Sequence, residues 1–166
     1  TDELMTGVTS PATGLRTGRR ISHVYVMDVP SYAETLFITD AAVNIAPDLV
    51  SKRDIIQNAI DLYAGLGLGT PKVAILSAVE TVTPTIPSTI EAAALCKMAD
   101  RGQITGGELD GPLAFDNAIS PEAAQFLARA EQVNAPQNGS VSGKAWVNQI
   151  LESNPVPTLW VINSIN

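Results

Sequence analysis

Residues 72–79, with the sequence KVAILSAV, form a nearly continuous apolar run between Pro71 and a stretch rich in threonine and proline. Such a run is typical of a strand that is buried on both faces in a parallel sheet. We therefore predict a central strand here, with Ile75 in the core. An apolar strand of this kind would be an aggregation site if it were left at an exposed sheet edge.

The first helix that flanks this strand is predicted at residues 50–64, after Pro47 and Asp48. Apolar side chains recur there at the helical spacing i, i+3, i+4, i+7, and charged side chains occupy the other face. The apolar face comprises Ile56, Ala59, Ile60 and Tyr63, and the charged face comprises Lys52, Arg53, Asp54 and Asp61. Gly65 and Gly67 end the pattern, so we expect a helix that lies on the sheet.

The second flanking helix is predicted at residues 88–99. Ser88 and Glu91 have the spacing of a capping box, and Gly102 is a natural stop. Further strands are predicted at residues 21–29, at 36–38, near 104 and at 158–162, and further helices at 1–10, 120–131 and 144–151. Strands that alternate with helices of this length indicate an α/β fold with a mainly parallel sheet.

Composition excludes several classes of protein. The chain has 166 residues, which suits one domain, and it is 45% apolar and 16% charged, which is too apolar for disorder. No run approaches the roughly 20 apolar residues of a membrane span. The single cysteine, Cys96, cannot form an intrachain disulfide, and the N-terminal residues lack the pattern of a signal peptide. We therefore expect a cytoplasmic protein without membrane partners.

The formal charge of −7 argues against nucleic-acid binding, which needs clustered basic residues. One local exception exists, because Arg16, Arg19 and Arg20 fall within five residues. This loop is either an anion site within a negative field or a solvated turn before a strand.

Several short motifs are better explained by structure than by chemistry. Gly65-Leu66-Gly67-Leu68-Gly69 follows a predicted helix, whereas a dinucleotide loop follows a strand, so helix termination is favoured. Residues 139–144 lack the length and the hydroxyl residue of a phosphate-binding loop. His23, the sole histidine, is interpreted as a half-buried strand residue, and Cys96 as a small core side chain. No metal site is predicted.

The segment at residues 104–117, ITGGELDGPLAFDN, combines glycines with carboxylates on a predicted strand-to-helix connection. Glycines let the backbone approach a ligand closely, and α/β folds usually place their sites on such connections. An acidic turn that caps the next helix is an equally good interpretation.

Residues 104–120 (ITGGELDGPLAFDNAIS) resemble the signature region of the phosphate acetyl/butyryltransferases, the phosphotransacylases, whose members carry D-G-x-L-x-F-D-x-A here. Four earlier stretches resemble the same family in the same order, particularly the form fused to an enoyl-CoA hydratase domain. They are HVYVMDVP at 23–30, LFITDAAVNIAPD at 36–48, DIIQNAIDL at 54–62 and KVAILSAVET at 72–81. The resemblance covers about residues 1–124, and residues 125–166 form a diverged segment that we expect to pack on the same domain.

This resemblance implies reversible transfer of an acetyl or other short acyl group between coenzyme A and inorganic phosphate. It implies no metal or prosthetic group, with coenzyme A as a substrate. The family fold is a three-layer α/β/α structure similar to isocitrate dehydrogenase, usually dimeric, with its site in a cleft between two domains. In the family, a carboxylate base is thought to take the thiol proton while arginines and backbone donors hold the phosphoryl group.

The family's residues carry over only in part. Ser10 and Arg16 fit the S-x-A-x-x-L-R pattern of a substrate loop, which makes Arg16 the expected anion ligand. Asp110, Asp116 and Asn117 fit the signature motif and are interpreted as cleft-lining or domain-organising residues.

The family's later Ser-Arg pair and acidic residue have no counterpart in this chain, so its catalytic residues are unknown. The resemblance thus favours a phosphate acyltransferase, or a piece of one with weak or no activity of its own. The alternative is a catalytically silent dimerisation or regulatory module. A nucleotide-dependent dehydrogenase, suggested by the similar family fold, is disfavoured because no cofactor-binding loop is found.

Overall fold

The computed structural model describes residues 2–28, 30, 35–40 and 42–115, together with the backbone of residues 159–161. Three helices and five strands are found in this part of the chain. In chain order they are α1 (Asp2–Thr9), β1 (Val24–Met27), β2 (Leu36–Thr39), α2 (Leu49–Gly65), β3 (Lys72–Leu76), α3 (Pro87–Asp100), β4 (Glu108–Leu113) and β5 (Leu159–Val161).

The strands form one sheet in the order β1-β2-β5-β3-β4. The pairs β2–β5, β5–β3 and β3–β4 are parallel, and only β1 runs antiparallel to its neighbour. The predicted central strand is confirmed, because β3 lies between β5 and β4 and Ile75 is fully buried. It ends at Leu76, three residues earlier than the apolar run in the sequence.

Both long helices pack on the same face of the sheet. Phe37, Val73 and Ile75 point to this face and form one core with the apolar sides of α2 and α3. Leu36, Ala74 and Leu76 form a second cluster on the opposite face, with Leu113 of β4 packed against it. The described residues therefore confirm an α/β fold with a mainly parallel sheet, and they show one helical layer.

The ends of α2 follow the sequence signals. The carboxylate of Asp48 accepts a hydrogen bond from the backbone N–H of Ser51 at 2.8 Å, which caps the first turn. At the other end Leu66 is the C-cap, and Gly67 follows with a φ of 76° that favours glycine. One assignment is wrong: Lys52, placed on the charged face, is only 3% exposed. Its ammonium faces α3, where it meets an acidic partner.

The capping box predicted for α3 is also wrong. The N-cap is Ile86, whose side chain makes no capping hydrogen bond, and the helix begins at Pro87. The Ser88 hydroxyl pairs with the hydroxyl of Ser77 at 2.8 Å, and Glu91 pairs with Lys52. These long-range partners take the two side chains that would have closed the box. The predicted stop is confirmed, because Gly102 follows α3 with a φ of 71°.

The chain after α3 differs from the prediction in one respect. Ile104 is buried but lies before the strand, which begins only at Glu108. The middle of the acidic, glycine-containing segment is therefore the strand β4 and not part of a connection. The last predicted strand is confirmed at β5, between β2 and β3. The helices predicted at residues 120–131 and 144–151 lie outside the described residues.

Candidate functional site

Ser10 organises the loop that follows α1. The backbone N–H and the hydroxyl of Thr13 both donate to the Ser10 hydroxyl, at 3.4 and 3.2 Å, and the N–H of Gly14 donates to the Ser10 carbonyl at 3.0 Å. A Cβ at Gly14 would clash with the carbonyl oxygens of Val8 and Ser10, so the tight turn needs glycine. The S-x-A-x-x-L-R pattern therefore folds as a compact loop built around Ser10.

Three arginines lie at the end of this loop and just after it, and their contacts differ. Arg19 forms an ion pair with Asp61 of α2 at 2.6 Å, and the Nε of Arg20 donates to Asn44 at 2.6 Å. These contacts fasten the segment before β1 to α2 and to the loop that follows β2. Arg16 is exposed, and among the described residues no partner is found for its guanidinium. Within the described residues, Arg16 is therefore the member of this cluster whose guanidinium has no partner, while Arg19 and Arg20 are each held by one contact.

The loop after the carboxyl end of β2 carries a hydrogen-bonded carboxylate, Asp40. The buried carboxylate of Asp40 accepts hydrogen bonds from the backbone N–H groups of His23, Ala42 and Val43, and from the side chain of Asn44. Burial alone would raise the pKa of Asp40, but these bonds outweigh it and hold the pKa below its ordinary value. Sequence reasoning missed this carboxylate. An aspartate immediately after a strand with Asn44 four residues on is the signal that could have found it.

A cavity of about 340 Å³ lies beyond the carboxyl ends of β2 and β3, between the first turns of α2 and α3. In open parallel sheets, ligands bind at this edge. Its wall includes the ion pair between Lys52 of α2, which is buried, and Glu91 of α3, whose side chain is 32% exposed. This pair was missed because each residue was assigned to a local helical role. A second cavity of similar volume lies beside Leu15 and Arg20, where the segment before β1 crosses α2.

Asp110 lies within β4, the edge strand opposite β1, and its Oδ1 accepts a hydrogen bond from the N–H of Gly111 at 2.8 Å. Burial raises the pKa of this carboxyl to about 6. Among the described residues, no hydrogen bond or ion pair joins Asp110 to the Arg16 loop. Asp116 and Asn117 lie outside the described residues.

Cys96 of α3 packs against β4, with its Sγ 3.6 Å from the carbonyl oxygen of Gly111. Burial, together with the charges of Asp110 and Asp100, raises the pKa of the thiol to about 12. A thiol that keeps its proton at neutral pH is a poor nucleophile, and Cys96 packs against the main core, as expected for a small core side chain.

His23 is half-buried and precedes β1, and its ring packs edge-on against Tyr25 at a centroid distance of 4.4 Å. Its Nδ1 is buried and has no partner within the described part of the chain. In the same residues, no group of three or more histidine, cysteine, aspartate or glutamate side chains is arranged to hold a metal ion. No described helix is both long and apolar enough to cross a membrane.

The raised pKa of Asp110 predicts a stability that depends on pH. Between about pH 4 and 6 the native protein keeps a proton on Asp110 that the unfolded chain has released. The free energy of unfolding therefore falls as the pH rises through this range. Asp110→Asn should therefore raise the free energy of unfolding by about 2 kcal/mol at pH 8 and hardly change it at pH 4. Urea unfolding at both pH values, with the exposed Glu108→Gln as control, measures the difference. An equal effect at the two pH values would contradict the assignment.

Comparison with known proteins gives a consistent result. A family model described as phosphate acetyl/butaryl transferase matches residues 8–141. The chain is 71% identical over 139 residues to the phosphate acetyltransferase of Rhizobium meliloti, covering 84% of this chain and 43% of the relative. It is 43% identical over 154 residues to the phosphate butyryltransferase of Clostridium acetobutylicum, covering 87% and 48%.

Two solved structures share the fold. A branched-chain phosphotransacylase from Enterococcus faecalis superposes with a TM-score of 0.64 at 29% identity, covering 89% of this chain and 45% of the other. A phosphotransacetylase from Staphylococcus aureus gives a TM-score of 0.58 at 21% identity, covering 90% and 40%. The chain spans less than half the length of each of these four proteins.

Proposed function

We propose that this chain, which belongs to the phosphate acetyl/butaryl transferase family, forms part of an enzyme that transfers a short acyl group between coenzyme A and inorganic phosphate. The observation that carries the proposal is the strong similarity, over most of the chain, to relatives named for this reaction. Because the chain spans only part of those relatives, the activity of a whole enzyme is inferred from a segment of it.

In the proposed reaction, the thiolate of coenzyme A attacks the carbonyl carbon of an acyl phosphate. A thioester bond forms, the bond from the acyl carbon to the phosphate oxygen breaks, and inorganic phosphate leaves. No metal or prosthetic group takes part, and coenzyme A is a substrate. Arg16 supports this assignment because its exposed guanidinium has no partner among the described residues and can hold the phosphate through two charge-assisted hydrogen bonds.

We assign the remaining family residues to supporting roles. Ser10 sets the shape of the loop that carries Arg16 through its bonds to Thr13 and Gly14. Asp110, Asp116 and Asn117 line the cleft or organise the domain around it. The complete fold has three layers like isocitrate dehydrogenase, and the enzyme works in the cytoplasm.

The assay that tests the proposal mixes the chain with acetyl phosphate and coenzyme A, or with butyryl phosphate and coenzyme A, and measures thioester formation. We expect weak or no turnover from this segment alone, together with measurable binding of coenzyme A. A chain that neither binds coenzyme A nor forms a thioester would contradict the proposal and favour a silent module.

The anion role of Arg16 predicts a loss of binding on substitution. Arg16→Ala should weaken the binding of phosphate or coenzyme A by about 1.5 to 3 kcal/mol, the usual contribution of a hydrogen bond to a charged group. Titration calorimetry at low salt measures the loss. The net charge of −7 gives no long-range attraction to an anion, so binding must depend on close contacts such as those of Arg16. Arg101→Ala, an exposed arginine after α3, is the matched control. Equal losses from both variants would show a diffuse electrostatic effect instead of a site.

We also propose that the chain forms a homo-oligomer. The edge strand β1 supports this, because Tyr25, Val26 and Met27 are 42 to 54% exposed and no proline or lysine interrupts the strand. Apolar edge strands are usually covered by a partner. Sedimentation at high concentration should detect a dimer or a larger species, and a strictly monomeric chain would count against the proposal.

A further inference from the structure

The loop that carries Arg16 is not anchored by core packing. In the described part of the chain, no residue of α1 is buried, and Leu15, next to Arg16, is 80% exposed. The backbone N–H of Leu15 donates to the carbonyl of Val8 at 2.9 Å, a bond within residues 2–16 that does not tie them to the sheet. Within the described residues, the place of Arg16 relative to α2 therefore depends on residues 17–23, which lead to β1.

A polar stripe along α2 binds this connecting segment. Asp54, Asn58 and Asp61 have the spacing i, i+4, i+7, so they lie on one face of the helix. The backbone N–H of Arg20 donates to the carboxylate of Asp54 at 3.3 Å, and Arg19 pairs with Asp61 at 2.6 Å. Asn58 lies between these two carboxylates on the helix, at the middle of the contact.

Asn58 binds the main chain of the segment at its centre. Its Nδ2 donates to the carbonyl oxygen of Arg20 at 2.8 Å and to the hydroxyl of Ser22 at 3.0 Å, so both amide hydrogens are used. The N–H of Arg20 is bound by Asp54 and its carbonyl by Asn58. Arg20 precedes β1, so these side chains supply the hydrogen bonds that a neighbouring strand would give to a residue in a sheet.

We propose that Asn58 is a positioning residue, which holds the main chain at Arg20 and thereby fixes the Arg16 loop against α2. The inference rests on the proposed function, in which Arg16 binds phosphate. The cavity of about 340 Å³ beside the segment supports it, because Leu15 and Asn58 both line that cavity. Arg16 is four residues from Arg20, so release of the Arg20 main chain displaces the guanidinium, and a small displacement of a binding group is costly.

Gln57, the neighbour of Asn58 on α2, provides a matched control. Its amide also binds main chain at two points, but it does so at Thr105, after α3. Nε2 donates to the carbonyl of Thr105 at 3.0 Å, and Oε1 accepts from the N–H of Thr105 at 2.9 Å. Gln57 also donates to Oδ1 of Asp61, whereas Arg19 binds Oδ2. Gln57→Ala therefore removes similar hydrogen bonds from the same helix without releasing the segment before β1.

Limited digestion with trypsin, which cleaves after arginine, measures the attachment of the segment. Asn58→Ala should raise the rate of cleavage after Arg19 and Arg20 by about five- to tenfold, because two hydrogen bonds no longer hold the main chain. Gln57→Ala should leave these rates unchanged and speed cleavage after the exposed Arg101 instead. Unchanged cleavage of Asn58→Ala would overturn the proposal. An equal rise after Arg101 in Asn58→Ala would overturn it too, because Asn58 would then support the whole fold.

Calorimetry with inorganic phosphate as the probe tests whether Asn58 acts through Arg16. Asn58→Ala should weaken phosphate binding by about fivefold, and Gln57→Ala should leave it unchanged. Adding Asn58→Ala to Arg16→Ala should cause no further loss, because the positioned group is already absent. A further loss of similar size in the double variant, or an equal loss in Gln57→Ala, would overturn the proposal.

The two measurements also separate this inference from the proposed function. Phosphate binding that Asn58→Ala leaves unchanged would support the function and overturn the positioning role. No phosphate binding by the unmodified chain would contradict the role of Arg16 in the function. Faster tryptic cleavage after Arg19 and Arg20 in Asn58→Ala alone would then still support the attachment of the loop by Asn58, and unchanged cleavage would overturn it.

Discussion

Glu91→Gln is expected to lower the free energy of unfolding by about 3 to 5 kcal/mol, the cost of leaving a buried charge without its partner. Lys52 has only 4% of its side chain exposed, and Glu91 supplies the negative charge that faces it across the junction of α2 and α3. Glutamine keeps the shape of the side chain but leaves the ammonium uncompensated. Urea unfolding at neutral pH measures the loss.

Two controls identify the cause of this loss. Lys52→Met combined with Glu91→Leu removes both charges and should be nearly neutral, because apolar groups of similar volume can replace a buried pair. Asp100→Asn breaks the exposed pair with Lys97, whose side chains are both 64% exposed, and should change stability by less than about 1 kcal/mol. A double variant as unstable as Glu91→Gln would mean that side-chain shape, and not the unpaired charge, explains the effect.

The pair of Lys52 and Glu91 also shows which features could not be predicted from the sequence. The amphipathic pattern located α2 correctly, with Ile56 and Ile60 in the core and the turn at Gly67, because those features depend on neighbours along the chain. Lys52 was misplaced because its partner is 39 residues away on another helix. A charged residue at one edge of an apolar stripe has no local signal for burial.

The prediction of a capping box at the start of α3 is wrong for the same reason. Ser88 and Glu91 have the spacing of a capping box, but Ser77 and Lys52 bind them instead. A local motif predicts a local bond only when no distant group competes for the side chain. The apolar run at β3 was predicted correctly because burial on both faces leaves a pattern that needs no partner to be identified.

The candidate anion site likewise depends partly on local sequence and partly on distant contacts. The cluster of Arg16, Arg19 and Arg20 predicted an anion site or a solvated turn, and the structure separates its members. Arg19 is held by Asp61 and Arg20 by Asn44, whereas the guanidinium of Arg16 has no partner among the described residues. Which arginine of a cluster is available to a ligand depends on α2 and on the loop after β2, and this could not be predicted from the cluster itself.

Phe37→Ala should lower the free energy of unfolding by about 3 to 5 kcal/mol, the range for removing a fully buried aromatic ring. Phe37 lies in β2 with no exposed surface, and its ring meets Tyr63 of α2 edge-on at a centroid distance of 5.0 Å. The substitution leaves a cavity at the contact between the sheet and α2, and it also removes the aromatic pair.

The matched control for this variant is Val50→Ala, in the first turn of α2, where the side chain is 56% exposed. It removes apolar atoms from α2, the helix that Phe37 packs against, without opening a cavity. The free energy of unfolding should therefore change by less than about 1 kcal/mol. Unfolding followed by circular dichroism compares the two variants. If Phe37→Ala changed the free energy of unfolding as little as Val50→Ala, β2 and α2 would not share one core. The position of the loop at Asp40, which follows β2, would then not depend on that packing.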